Sequence, residues 1–122
     1  MNLQIEQGDG ASPGGIPPGI SIVRVGDARL MYPMLAEFSA AVGTLIAAGT
    51  HLIVIDLAPV TYVDSATIGC LMDLYRQVHV AGGHLKLSGV QTRVRTMLTM
   101  TGAQNFIEIH PDEPSAIRSF GA

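Results

Sequence analysis

The chain has 122 residues, enough for one hydrophobic core and not for two. Apolar residues make up 48% and charged residues only 14%, which excludes a disordered, charge-rich segment. Seven Lys and Arg against ten Asp and Glu give a net charge of −3, and Lys86 is the lone lysine, so no basic stripe exists to grip nucleic acid.

Cys70 is the single cysteine, which excludes an intrachain disulfide and a cysteine zinc cluster. His51, His79, His84 and His110 are too scattered for a paired metal motif. No metal and no cofactor are expected. No continuous apolar run reaches the roughly 20 residues a membrane helix needs. The opening Met1-Asn2-Leu3-Gln4-Ile5-Glu6 lacks the basic-then-apolar pattern of a secretory signal, so the expected compartment is the cytoplasm, without membrane attachment.

Taken in chain order, Leu3–Gln7 reads as a short edge strand. Gly8–Gly19, rich in glycine and proline, reads as a flexible arm, so residues 1–19 are set apart from a domain over 20–122. Ile20–Val25 is a β-branched strand closed by Gly26-Asp27. Pro33 suits a first helical turn, and Leu35, Phe38, Val42, Leu45 and Ile46 share one helical face that stops at Gly49. Leu52–Leu57 is nearly all apolar, as a strand covered on both faces requires.

A second helix is predicted over Ser65–Ala81, with Ile68, Leu71, Tyr75 and Val78 inward and Gly82-Gly83 ending it. His84–Ser88 is a strand, and Thr92–Met100 a third helix with Val94, Met97 and Leu98 inward. Phe106–Ile109 is a last strand, and Asp112–Phe120 a short closing helix. This alternation implies a single α/β domain with a mixed sheet, parallel central strands and about four helices. In such sheets functional groups gather beyond the carboxyl ends of strands, which directs attention to Gly26–Tyr32 and Val60–Gly69.

Within the second stretch, Ser65 has a local reading as the N-cap of the second helix, with Asp64 favoured there by the helix dipole. The alternative is a modification site. Asp64-Ser65-Ala66-Thr67-Ile68-Gly69 resembles the Asp-Ser-Ser/Thr-Gly-Leu-Gly segment of STAS domains, in the branch of bacterial anti-sigma factor antagonists. His51–Leu57 with Val60 and Val63 resembles that family's buried strand and its lead-in. Gly82–Leu87, Val94-Arg95 with Leu98 and Gly102, and Asp112-Glu113 with Ala116-Ile117 extend the similarity over about Ile20–Phe120.

The resemblance implies a STAS fold and a binding module switched at Ser65. In the family the serine after the aspartate is phosphorylated by the anti-sigma factor, a serine kinase, and restored by a serine phosphatase. Asp27, Asp64, Ala66, Thr67 and Ile68 are the expected partner contacts. The chain departs from the family pattern in three places: Thr67 stands where it has glycine, Gly26-Asp27-Ala28-Arg29 where it commonly has Gly-Glu-Leu-Asp, and the Gly8–Gly19 run is longer than its usual tight connection between the first two strands. The alternative function is an unphosphorylated STAS assembly module on a transport ATPase or a larger signalling complex.

Among the remaining residues, Met31-Tyr32-Pro33-Met34 is either an adaptable contact surface or an inward-tucked helix lead-in. Arg93 and Arg95 are expected on a solvated face, and Cys70 as a core thiol. Catalysis has little support: no Gly-x-Ser-x-Gly elbow surrounds Ser65, no histidine is placed by sequence to activate it, and no lysine phosphate loop is present. A phospho-aspartate receiver would need an acceptor at a strand end, and Asp56 inside an apolar strand suits that role poorly.

Overall fold

The computed structural model describes residues 1–10 and 15–121. Strands β1 (Leu3–Gln7), β2 (Ile20–Val25), β4 (Leu52–Asp56), β6 (His84–Ser88) and β7 (Ile109–His110) form one sheet in the order β1-β2-β4-β6-β7. β1 is antiparallel to β2, and every other pairing in this sheet is parallel. Two short strands, β3 (Arg29–Leu30) and β5 (Tyr62–Val63), pair with each other apart from it. Among the described residues four α-helices complete the fold: α1 (Leu35–Ala47), α2 (Ser65–Val80), α3 (Thr92–Thr101) and α4 (Glu113–Arg118). The α/β single domain expected from the alternation is what the chain builds.

The period-2 alternation of the strands splits the core in two. Val23, Val25, Ile53, Ile55, Leu85 and Leu87 face the thick layer, where Phe38, Val42 and Leu45 of α1 and Ile68, Leu71, Leu74 and Val78 of α2 pack. Val94 and Leu98 of α3 complete that layer. The in-between residues Ile20, Ile22 and Val54 face the other way, under Ile16 and Ala116. Burial of both faces explains why β4 carries no regular polar alternation before Asp56.

Several elements differ from the sequence expectation. The last strand is Ile109–His110, because Ala103–Asn105 forms a 3-10 turn after the left-handed Gly102 and leaves Phe106 exposed. On α2 Leu74 fills the core position expected of Tyr75, which lies half-buried and stacks on His79 with ring centroids 5.7 Å apart. Pro33 sits in a 3-10 turn (Tyr32–Met34) that leads into α1. The arm expected to be flexible is anchored at its described ends: Gly8 N–H donates to the Ile20 carbonyl at 2.8 Å, and Ile16 is buried. Residues 11–14 of that stretch lie outside the described residues.

Gly83 shows how tightly the strands enter the sheet. A Cβ there would collide with the His51 carbonyl oxygen, the same oxygen that accepts from His84 N–H at 2.7 Å. Only a residue without a side chain lets β6 start alongside β4.

The thin face carries a charged cluster. Arg24 donates through Nε and Nη2 to both carboxylate oxygens of Glu113 (2.8 and 2.9 Å), and through Nη1 to Glu6 (2.8 Å). Asp56, opposite Arg24 in the ladder, accepts from Ala58 N–H at 2.8 Å and is hydrogen-bonded to Glu113. Burial, together with that second acid, pushes the Asp56 carboxyl up to about 6 from an ordinary 3.8. Arg24 draws Glu113 the opposite way, below the usual carboxylate range. Nearby, Lys86 is buried with its Nζ on Ser119 Oγ (2.8 Å) and over the Phe120 ring, fastening the turn after α4.

The pH consequence follows from linkage. Between about pH 4 and 6 the folded chain retains the Asp56 proton that the unfolded chain has lost. Folding stability contributed by this group therefore falls as pH rises through that window. Asp56→Asn should flatten that segment of the profile and raise stability at pH 7, read from urea unfolding at a series of pH values.

Candidate functional site

Beyond the carboxyl end of β2 the chain runs into β3, whose parallel pairing with β5 makes the second, two-stranded sheet. These strands are too short to show a period in sequence, yet they bring the two stretches singled out there side by side. Thr61 N–H and its hydroxyl both donate to the Ala28 carbonyl (2.7 and 3.0 Å) and reinforce the seam. Arg29 lies over the Tyr62 ring at 5.3 Å, so the residue that departs from the family's acid makes a cation–π contact.

Asp64, not Ser65, is the N-cap of α2. Its backbone is extended and its Oδ1 accepts from Thr67 N–H at 2.9 Å. Its Oδ2 accepts from Tyr32 N–H at 2.9 Å, which fixes the start of the turn leading to α1. Ser65 is consequently the first residue inside the helix. Adjacent Asp and Ser are both good caps, and the carboxylate alone can serve two loops at once.

Thr67 explains its own departure from the family glycine. Its hydroxyl lies 2.7 Å from the Leu30 carbonyl and 2.6 Å from Asp64 Oδ1, sharing its proton between them. That hydroxyl contact first, and the backbone N–H groups of Tyr32 and Thr67 after it, hold the Asp64 carboxyl below its ordinary range. Asp64 is therefore a carboxylate at neutral pH, as a cap on a helix N-terminus should be.

The expected site residues divide by exposure. Ser65 and Ala66 are exposed, while Asp27 and Asp64 are partly so. Asp27 accepts from Asn2 N–H at 2.7 Å, so one end of its carboxylate is tied to the lead-in of β1. Thr67 and Ile68 are buried, at 0% and 4% exposure. Their expected role as direct partner contacts does not fit this placement: they face inward, one as a strut and the other in the core.

What the sequence does not reveal is a groove of about 810 Å³ between α1 and α2, running from the exposed Tyr32 past Ala66 and Gly69. Its walls include Ser39, Cys70 and Met72, and it ends near the Asp73–Arg76 ion pair. Small residues at helical spacing on both helices are the signal that could have found it. Cys70 is half-buried in that wall, with burial raising its thiol pKa, in keeping with an unreactive thiol. Met31 and Met34 are partly buried while Tyr32 is largely exposed, so the segment tucks its methionines toward the core and turns its tyrosine to solvent. Arg93 and Arg95 are exposed on α3. Among the described residues there is no grouping of three or more His, Cys, Asp or Glu that could hold a metal, and no helix long and apolar enough to cross a membrane.

This architecture, a mixed sheet with a capped serine opening the second helix, defines a STAS fold. The STAS domain family profile matches residues 16–116, and the chain belongs to that family. An anti-sigma factor antagonist from Mycobacterium paratuberculosis superposes with a TM-score of 0.82 at 19% identity, covering 99% of this chain and 94% of that one. The Bacillus anti-sigma factor antagonist SpoIIAA in its unphosphorylated form gives a TM-score of 0.78 at 17% identity, covering 99% and 98%. The murine anion transporter Slc26a9 gives 0.75 at 17% identity, covering 97% of this chain and 22% of the transporter.

The cap geometry yields a stability test. Asp64→Ala should cost about 1–2 kcal/mol by removing the acceptor for Thr67 and Tyr32 N–H groups. Thr67→Val, which keeps the volume, should cost about 1–2 kcal/mol through the lost hydroxyl. Because both act on the same acceptor, the double variant should lose less than the sum in urea unfolding.

Proposed function

We propose that this chain is an anti-sigma factor antagonist, a binding module whose partner is an anti-sigma factor serine kinase and whose switch is phosphorylation of Ser65. The observation that carries this reading is the exposed Ser65 at the first helical position, directly after a capping carboxylate and beside an open groove. A kinase can reach it, and no core contact depends on it.

The physics of the switch is local. A phosphate adds about −1.5 to −2 charge and would sit at a helix N-terminus, where the fold tolerates it. SpoIIAA, which shares this fold, is known in both phosphorylated and unphosphorylated forms. A partner pressed on the same surface would meet a dianion next to the Asp64 carboxylate, and like charges brought together in an interface cost several kcal/mol. On this reading Asp27, Asp64 and Ala66 touch the partner, whereas Thr67 and Ile68 act from within by holding the helix end in place. A serine phosphatase resets the switch, and the setting is the cytoplasm.

Incubation with ATP and an anti-sigma factor kinase should add one phosphate to the chain and none to Ser65→Ala, by intact mass. Ser65→Asp should weaken kinase binding by about a hundredfold or more, while its melting temperature stays within a few degrees of the wild type. Equal binding of Ser65→Asp and wild type would overturn the switch. No phosphorylation, together with a stable complex on a transport ATPase, would favour the assembly-module reading.

A further inference from the structure

The sheet ends at β1, and the parity of its ladder determines what that edge offers. The Asn2 carbonyl accepts from Gly26 N–H at 2.7 Å, and Gly8 N–H donates to the Ile20 carbonyl at 2.8 Å. The register between these points pairs Leu3 with Val25 and Gln7 with Ser21. Even-numbered residues of the strand thus turn their peptide groups toward β2, and Leu3, Ile5 and Gln7 turn theirs outward. No further strand lies on that side among the described residues.

Sheet edges are ordinarily blunted by proline, lysine, a bulge or shortness. Leu3–Gln7 is five residues long, pairs without interruption and contains no proline and no basic residue, and its one charge, Glu6, is paired with Arg24 at 2.8 Å. The opposite edge, β7, is two residues long and followed by Pro111. At the middle of β1, Ile5 leaves 42% of its surface in water.

The geometry points to β1 as a self-association edge: two copies of this chain pair antiparallel through it, about a two-fold axis at Ile5, so that one sheet runs across the dimer. In this register Leu3 faces Gln7 of the second copy, Gln4 faces Glu6 of the second copy, and the two Ile5 residues face each other. Every outward residue meets an outward residue, and each such pair exchanges two backbone hydrogen bonds. On one face the Ile5 side chains cover each other. On the other, the Gln4 amide donates to the Glu6 carboxylate, whose own protomer already supplies Arg24 at 2.8 Å.

The alternative registers are worse. Sliding one strand by two residues in one direction stands the two Glu6 carboxylates opposite each other, which is unfavourable. Sliding it the other way sets Gln4 against Gln4 and forgoes the amide–carboxylate pair. Either shift also removes one of the three outward pairs within the strand. The seam uses neither Ser65 nor the α1–α2 groove, so the inference is independent of the proposed function.

Sedimentation equilibrium from roughly 10 µM to 1 mM, the range suited to a small interface, should show a monomer–dimer equilibrium for the wild-type chain. Ile5→Lys, which opposes two ammonium groups on the axis, should be monomeric throughout with an unchanged far-UV spectrum. Register is read by oxidative cross-linking in a Cys70→Ser background. Gln4→Cys mixed with Glu6→Cys should form the mixed disulfide in preference to either like pair, because these positions form a non-hydrogen-bonded pair with Cα atoms about 4.5 Å apart. A wild type that stays monomeric to 1 mM, an Ile5→Lys variant that still dimerises, or like-pair disulfides forming as readily as mixed ones would each overturn the proposal.

Discussion

The carboxylate of Asp64 is where the local structure of the site is decided. One oxygen closes the first turn of α2 through Thr67 N–H, and the other receives the Tyr32 peptide from the loop that leads into α1. Two helices that start in separate crossovers therefore share one anchor. Thr67 strengthens it from below by reaching the Leu30 carbonyl, so the short β3–β5 sheet, the cap and the helix lead-in form a single hydrogen-bonded block. The exposed serine stands on a rigid base because of this, not because of anything Ser65 does itself.

The rest of the domain serves to hold that block at one end of the sheet. Parallel β2 and β4 deliver both loops to the same edge, and the apolar alternation of each strand commits its two faces to different layers. With α1 and α2 packed on the thick side, their N-termini emerge next to each other, and a groove runs between the two helices from Tyr32 to the Asp73–Arg76 pair. A surface of this kind can be altered by one added charge without any rearrangement of the core beneath it.

Periodicity is a sound guide wherever an element is long enough to have a period. The apolar face of α1, most of that of α2 and the two-sided burial of β4 are readable from spacing. It fails where tertiary contacts decide. β3 and β5 are two residues each and exist only because they meet; no local pattern marks them. Thr67 reads in sequence as a surface variant of a glycine and is instead a fully buried strut, since its hydroxyl has an acceptor on an element remote in sequence. The choice between Asp64 and Ser65 as cap likewise depends on Tyr32, far earlier in the chain, and the short last strand at Ile109–His110 depends on a 3-10 turn that Gly102 permits.

The two sides of the sheet are not closed equally. Three helices seal one side, while the other rests on the six-residue α4 and the segment around Ile16, held by the Arg24–Glu113 pair and by Lys86 beneath Phe120. A helix of that length has no stability of its own, so once released it melts, baring Ile22 and Val54. Amide hydrogens there should exchange through a separate, shallower opening than those beneath α1 and α2, and the chain can loosen its back while the serine-bearing front keeps its shape.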